Sequence, residues 1–89
     1  MKIIDSHQHF WNPSRGDYFW MSKDDKTLFR KYGVNDLLKE SSTTDLLKTV
    51  LVQAAPSNQE TEYMLGIADS TDLVAGVVGW IDFENINQI

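Results

Sequence analysis

The chain has 89 residues, 42% hydrophobic and 24% charged, a globular composition that excludes wholesale disorder. Eight Lys plus Arg against thirteen Asp plus Glu give a net charge of −5, with no basic cluster, which argues against nucleic acid as the main partner. The absence of cysteine excludes disulfide scaffolds, thiolate zinc sites and cysteine nucleophiles. No apolar run approaches the ~20 residues of a membrane span. The N-terminus also lacks the unbroken apolar stretch of a secretory signal. The expectation is a soluble, cytoplasmic protein with no membrane partner.

In chain order, residues 2–6 read as a strand led by Ile3 and Ile4, buried if the sheet is parallel. Residues 10–20 have loop composition around Asn12, Pro13 and Gly16, yet carry Phe10, Trp11, Tyr18, Phe19 and Trp20. Five aromatics predict packing or a pocket wall. Residues 24–32 suggest a helical turn ended by Gly33, and residues 35–40 a short helix capped by Asn35. Residues 41–48 read as a linker passing into buried chain. Residues 49–55, TVLVQAA, predict the clearest strand, closed by Pro56. Ser57 and Glu60 fit a capping box for a helix to about Asp69, its apolar stripe being Met64, Leu65 and Ala68 joined by Thr61. Residues 73–81 predict a third buried strand, and residues 82–89 a loop and the start of a further helix. Strands alternating with helices mean βαβ units and a parallel sheet. Such a sheet needs cover on both faces, which three strands and two helices cannot provide. The pattern reads as an incomplete α/β protein.

His7-Gln8-His9 is the sharpest chemical feature. Side chains alternate along a strand, so His7 and His9 share a face, with Asp5 at the same parity. Two imidazoles so placed can chelate one divalent ion such as zinc. They sit at the C-terminal end of the first strand, where parallel α/β folds keep their active sites. A pair of polar residues ending a strand is the plainer reading, and two ligands fall short of the three or four a metal site needs. Gln53 and Trp80 stand near the ends of the second and third strands. Gln53 could bind a substrate oxygen or satisfy backbone groups; Trp80 could form an apolar wall or core. Asp5 could orient an imidazole or bond the backbone, and Asp82 reads as a loop or cap residue ahead of a ligand.

The blocks IIDSHQHFWNP, TVLVQAAPSNQETEYML and AGVVGWIDFE resemble the amidohydrolase superfamily, in the amidohydrolase-2 branch. That branch holds sugar-lactone hydrolases and 2-pyrone-4,6-dicarboxylate lactonase. The resemblance runs from Ile3 to about Glu84. It implies a TIM (β/α)8 barrel of ~250 residues or more, of which residues 1–89 would be the N-terminal portion, about the first three β/α units. It implies hydrolysis of a sugar or dicarboxylic acid lactone by activated water, in carbohydrate catabolism. His7 and His9 carry over as catalytic or metal-binding residues. Gln53 and Trp80, in the strand-end motifs VQ and GW, carry over as substrate-binding residues. The family's later histidines and its aspartate general base would lie beyond residue 89. Because some lactonases of this branch work without metal, His7 and His9 would hold either a divalent ion or the substrate carbonyl or carboxylate itself. The chain by itself would be inactive. The contrasting expectation is a truncated or small non-catalytic module that binds a metal or a partner.

Overall fold

β-branched and apolar stretches form three strands in the computed structural model, which describes residues 2–82 and 84. β1 (Ile3–Gln8) leads into a 3-10 turn (Pro13–Arg15). α1 (Val34–Glu40), β2 (Leu46–Val52), α2 (Asn58–Ser70) and β3 (Val74–Val78) follow. The sheet order is β1-β2-β3, with both pairings parallel. The expected α/β class and parallel sheet are therefore observed. Most of the helix start expected at residues 82–89 lies outside the described residues.

β2 begins earlier than its apolar pattern suggests. Leu46 pairs with Ile3 and Lys48 with Ile4, so hydrogen bonding to β1 recruits residues read as linker. β2 stops at Val52, because the chain then turns to present the Ala54 amide and carbonyl to side chains. The helical turn expected between Asp24 and Tyr32 forms as one turn: the Phe29 N–H donates to the Asp25 carbonyl at 2.7 Å, and Asp25 Oδ1 accepts the Thr27 and Leu28 amides. Gly33 rather than Asn35 caps α1: Asp36, in the first turn, accepts the Gly33 N–H at 2.8 Å. This bond, ahead of the Arg30 contact, holds the Asp36 carboxyl below its ordinary range. Gly16, with φ of 85°, ends the 3-10 turn in the left-handed region that a side chain would strain.

Ser57 caps α2 as expected, its hydroxyl accepting the Glu60 N–H at 3.0 Å. The reciprocal half of the capping box is replaced: the Glu60 carboxylate turns to the loop after β1 and to Ala54. The core is Phe10, Leu51, Met64 and Val74, ringed by Val34, Leu37, Ile67, Ala68 and Val77. Leu65 is exposed, and Ile67 takes its expected place on the packed stripe.

Among the described residues, only one face of the sheet is covered. Parallel partners lie on a common face. Thr49, Leu51, Val74 and Val77 share the face under α2, while Val50, Val52, Gly76 and Val78 share the other. Val78 is 53% exposed and Ile4 60%. The expectation that the first and third strands are buried thus fails, since each is an edge strand with one open face.

Candidate functional site

The register of β1 slips by one residue between Asp5 and Gln8. Asp5 lies opposite Thr49 and Gln8 opposite Leu51, both on the face under α2. His7 and His9 flank Gln8 and fall on the open face. The slip removes Asp5 from their side: its Oδ1 accepts the His7 backbone N–H at 3.1 Å and does not orient an imidazole. Backbone bonding was the second of its two expected roles.

The two imidazoles meet. His7 Nε2 and His9 Nε2 are 3.1 Å apart, with the rings edge to face. His9 Nδ1 lies 2.9 Å from the Val52 carbonyl. A carbonyl only accepts, so Nδ1 carries the proton and the Nε2 lone pair points at His7. Two nitrogens at this spacing need a proton or a cation between them. At metal–nitrogen bonds of about 2.05 Å they would subtend an angle of about 100°, within reach of a tetrahedral or octahedral ion. The pair therefore fits two corners of a metal site, and the Val52 contact supplies the outer support that metal-bound histidines need. Among the described residues no group of three or more His, Asp or Glu could complete it.

A groove of about 700 Å³ adjoins the pair. His7, His9 and Trp11 line it from β1 and its loop, Arg30 and Tyr32 from the turns before α1, and Lys39 from α1. Arg30 stacks on the Tyr32 ring at 3.7 Å and reaches Asp36 at 3.3 Å. The Tyr32 contact is the larger cause of a guanidinium held above its ordinary range. Trp11 packs edge to face on Tyr32 at 5.3 Å and on Trp20 at 5.6 Å. The expectation that the loop aromatics pack is met by buried Phe10 and Tyr18, but Phe19 is left exposed.

Gln53 and Trp80 stand at the ends of β2 and β3, outside the lining of this groove. The Gln53 backbone N–H donates to the Val78 carbonyl at 2.9 Å, while the side-chain Oε1 is buried with no hydrogen-bond partner among the described residues. Trp80 is clasped by Thr61, whose Oγ1 accepts the Trp80 N–H at 2.9 Å and donates to the Trp80 carbonyl at 3.2 Å. Asp82 Oδ1 accepts the Glu84 N–H at 3.0 Å, a loop role. Sequence reasoning missed Arg30 and Tyr32 in the groove, because a charged residue near an aromatic in a turn-rich stretch carries no periodic signal. It also missed the buried Glu60, which the S-x-x-E spacing had assigned to a helix cap.

No protein-family model matches the chain. It is 37% identical over 82 residues to an L-fucono-1,5-lactonase of Burkholderia ambifaria, covering 92% of this chain and 28% of that protein. It is 37% identical over 79 residues to an L-fucono-1,5-lactonase of Burkholderia multivorans, covering 89% and 27%. A crystal structure of an amidohydrolase from Burkholderia multivorans with bound zinc superimposes with a TM-score of 0.79 at 37% identity, covering 89% of this chain and 28% of that one. The chain matches the N-terminal part of an amidohydrolase. It spans a little over a quarter of the length of these relatives. Among the described residues, no helix is long and apolar enough to cross a membrane.

Proposed function

We propose that residues 1–89 are the N-terminal portion of one TIM-barrel domain, and that the whole protein is an amidohydrolase-type hydrolase that opens a sugar or dicarboxylic acid lactone. The paired His7 and His9 nitrogens, 3.1 Å apart at the C-terminal end of β1, carry this reading. It is supported by lactonases among the relatives and by a zinc-bound amidohydrolase of the same local fold. The uncovered face with Ile4, Val50, Val52 and Val78 supports the domain reading, because a parallel sheet is stable only with both faces buried.

In this reading His7 and His9 hold either a divalent ion or the lactone carbonyl. A divalent ion bound there would supply Lewis acidity toward the carbonyl and the oxyanion that follows. Without one, the His7 ring N–H donates to the developing oxyanion, since the His9 ring proton is held by the Val52 carbonyl. The Val52 carbonyl keeps His9 in the tautomer that leaves its Nε2 lone pair, beside His7, available to an ion. Gln53, with its unpartnered Oε1, and Trp80 would position the ring from the neighbouring strand ends. The general base is a carboxylate outside this chain. Residues 1–89 alone lack turnover, and the substrate is a small molecule met in the cytoplasm.

The test is a pH-indicator lactone screen on the complete encoded polypeptide, with elemental analysis of the same sample. Hydrolysis of L-fucono-1,5-lactone or a related lactone, abolished by His7→Ala and His9→Ala, is expected. Loss of bound metal in these variants would assign the pair to the ion; full metal-free activity would assign it to the carbonyl. A polypeptide that folds and hydrolyses no lactone refutes the reading.

A further inference from the structure

Glu60 is a carboxylate with no solvent exposure, and nothing in the hydrolytic reading uses it. Its Oε1 accepts from the Tyr18 hydroxyl at 2.8 Å and from Arg15 Nη2 at 2.9 Å, and its Oε2 accepts the Ala54 N–H at 2.6 Å. Arg15 Nη2 also reaches both Asp17 oxygens, at 2.8 and 2.9 Å, and the Ser57 hydroxyl donates to Asp17. The Arg15 guanidinium lies over the Tyr18 and Tyr63 rings. The loop after β1, the turn after β2 and the start of α2 thus converge on one buried side chain.

A buried ion pair is a poor source of stability compared with apolar packing of the same volume. Its effect here is conformational. Few placements of residues 12–18 can bring a phenol, a guanidinium and a backbone amide to two carboxylate oxygens at once. This placement carries on to Trp20, two residues past Tyr18. Trp20 donates its indole N–H to the Ala54 carbonyl at 2.6 Å, on the residue whose amide Glu60 holds. Trp20 packs on Trp11, and Trp11, anchored by its own N–H to the Leu28 and Arg30 carbonyls, lines the groove beside His7 and His9.

We propose that Glu60 is a positioning residue: through Tyr18, Arg15 and the Ala54 amide it sets Trp20, which backs Trp11, the aromatic wall of the groove beside His7 and His9. The substrate part of this inference rests on the lactonase reading; the loop part does not. The test uses the complete encoded polypeptide with Glu60→Ala, Glu60→Gln and Tyr18→Phe. Peptide-level hydrogen–deuterium exchange is measured alongside steady-state lactone hydrolysis. Glu60→Ala is expected to speed exchange over residues 10–21 and 53–57 by about tenfold while β2 and β3 stay protected. KM should rise about tenfold with kcat nearly unchanged, the signature of a lost binding wall. Glu60→Gln, which keeps one acceptor oxygen but turns an NH2 toward a donor, should fall between wild type and Glu60→Ala in both readings, and Tyr18→Phe should show a smaller change of the same sign. If Glu60→Ala does not fold, Tyr18→Phe decides by the same readings. Exchange that rises throughout the fold, or does not rise in the loop, overturns the proposal, as does an unchanged KM in an active enzyme. If the wild type hydrolyses no lactone, the functional reading fails and the exchange pattern alone decides the role of Glu60.

Discussion

Gly79→Ala is expected to spread β3 from α2. A Cβ at position 79 would sit 2.8 Å from Thr61 Cγ2 and 3.0 Å from Thr61 Oγ1, where carbon contacts normally settle at ~3.5–4.0 Å. Relief needs a shift of about 1 Å. Thr61 cannot give way freely, because its hydroxyl bonds both the N–H and the carbonyl of Trp80. A displacement of that size takes both bonds beyond hydrogen-bonding range, at about 0.5–1.5 kcal/mol each, so the substitution should cost about 1–3 kcal/mol. The explanation is specific to the pair and is checked by a double-mutant cycle with Thr61→Ala, using denaturant unfolding of the complete polypeptide. Thr61→Ala removes the obstructing atoms and the same two bonds. Gly79→Ala should then cost little in its presence, giving a coupling of about 1–2 kcal/mol. A cost for Gly79→Ala below about 0.5 kcal/mol, or two additive losses, refutes the reasoning.

Met64→Ala removes a fully buried side chain from the centre of the core and is expected to destabilise by about 2–5 kcal/mol, whereas Leu65→Ala, on the exposed side of α2, should cost much less; unfolding midpoints distinguish them. The Asp36 carboxyl is held low by the Gly33 N–H, so its support of α1 is fully present above the ordinary carboxylate pKa of about 3.9 and is lost as pH falls through the lowered folded value. The Gly33 amide shift, followed by NMR, should titrate below the ordinary carboxylate range and stop titrating in Asp36→Asn. Tyr18 is held above the ordinary phenol range, chiefly by burial and then by Glu60. Its contribution is present below about pH 10 and is lost as pH rises through its higher folded value, so tyrosinate absorbance should show a late phase, shared with Tyr63, that Tyr18→Phe reduces. Residues 1–89 expressed alone should self-associate through the open face and the two free sheet edges; a monomer that melts cooperatively in sedimentation and calorimetry would contradict this.

Much of the architecture was legible in the residues. The continuous apolar character around Val50 and Leu51, the Ser57 cap and the alternation of strand and helix require a parallel α/β arrangement, because each is a local or periodic property of the chain. The pairing of His7 with His9 was legible too, since a two-residue spacing on a strand places side chains on one face whatever lies around it. Tertiary structure decided what spacing could not. The register slip before Gln8 separated Asp5 from the histidines, although all three share sequence parity. Pairing with Ile3 and Ile4 drew Leu46 and Lys48 into β2. Glu60, whose position suits a helix cap, is instead claimed by Arg15 and Tyr18 from more than forty residues away. Local patterns report a residue's own backbone, whereas the partner of a buried charge is chosen by whichever distant donors the packed chain brings within hydrogen-bond distance.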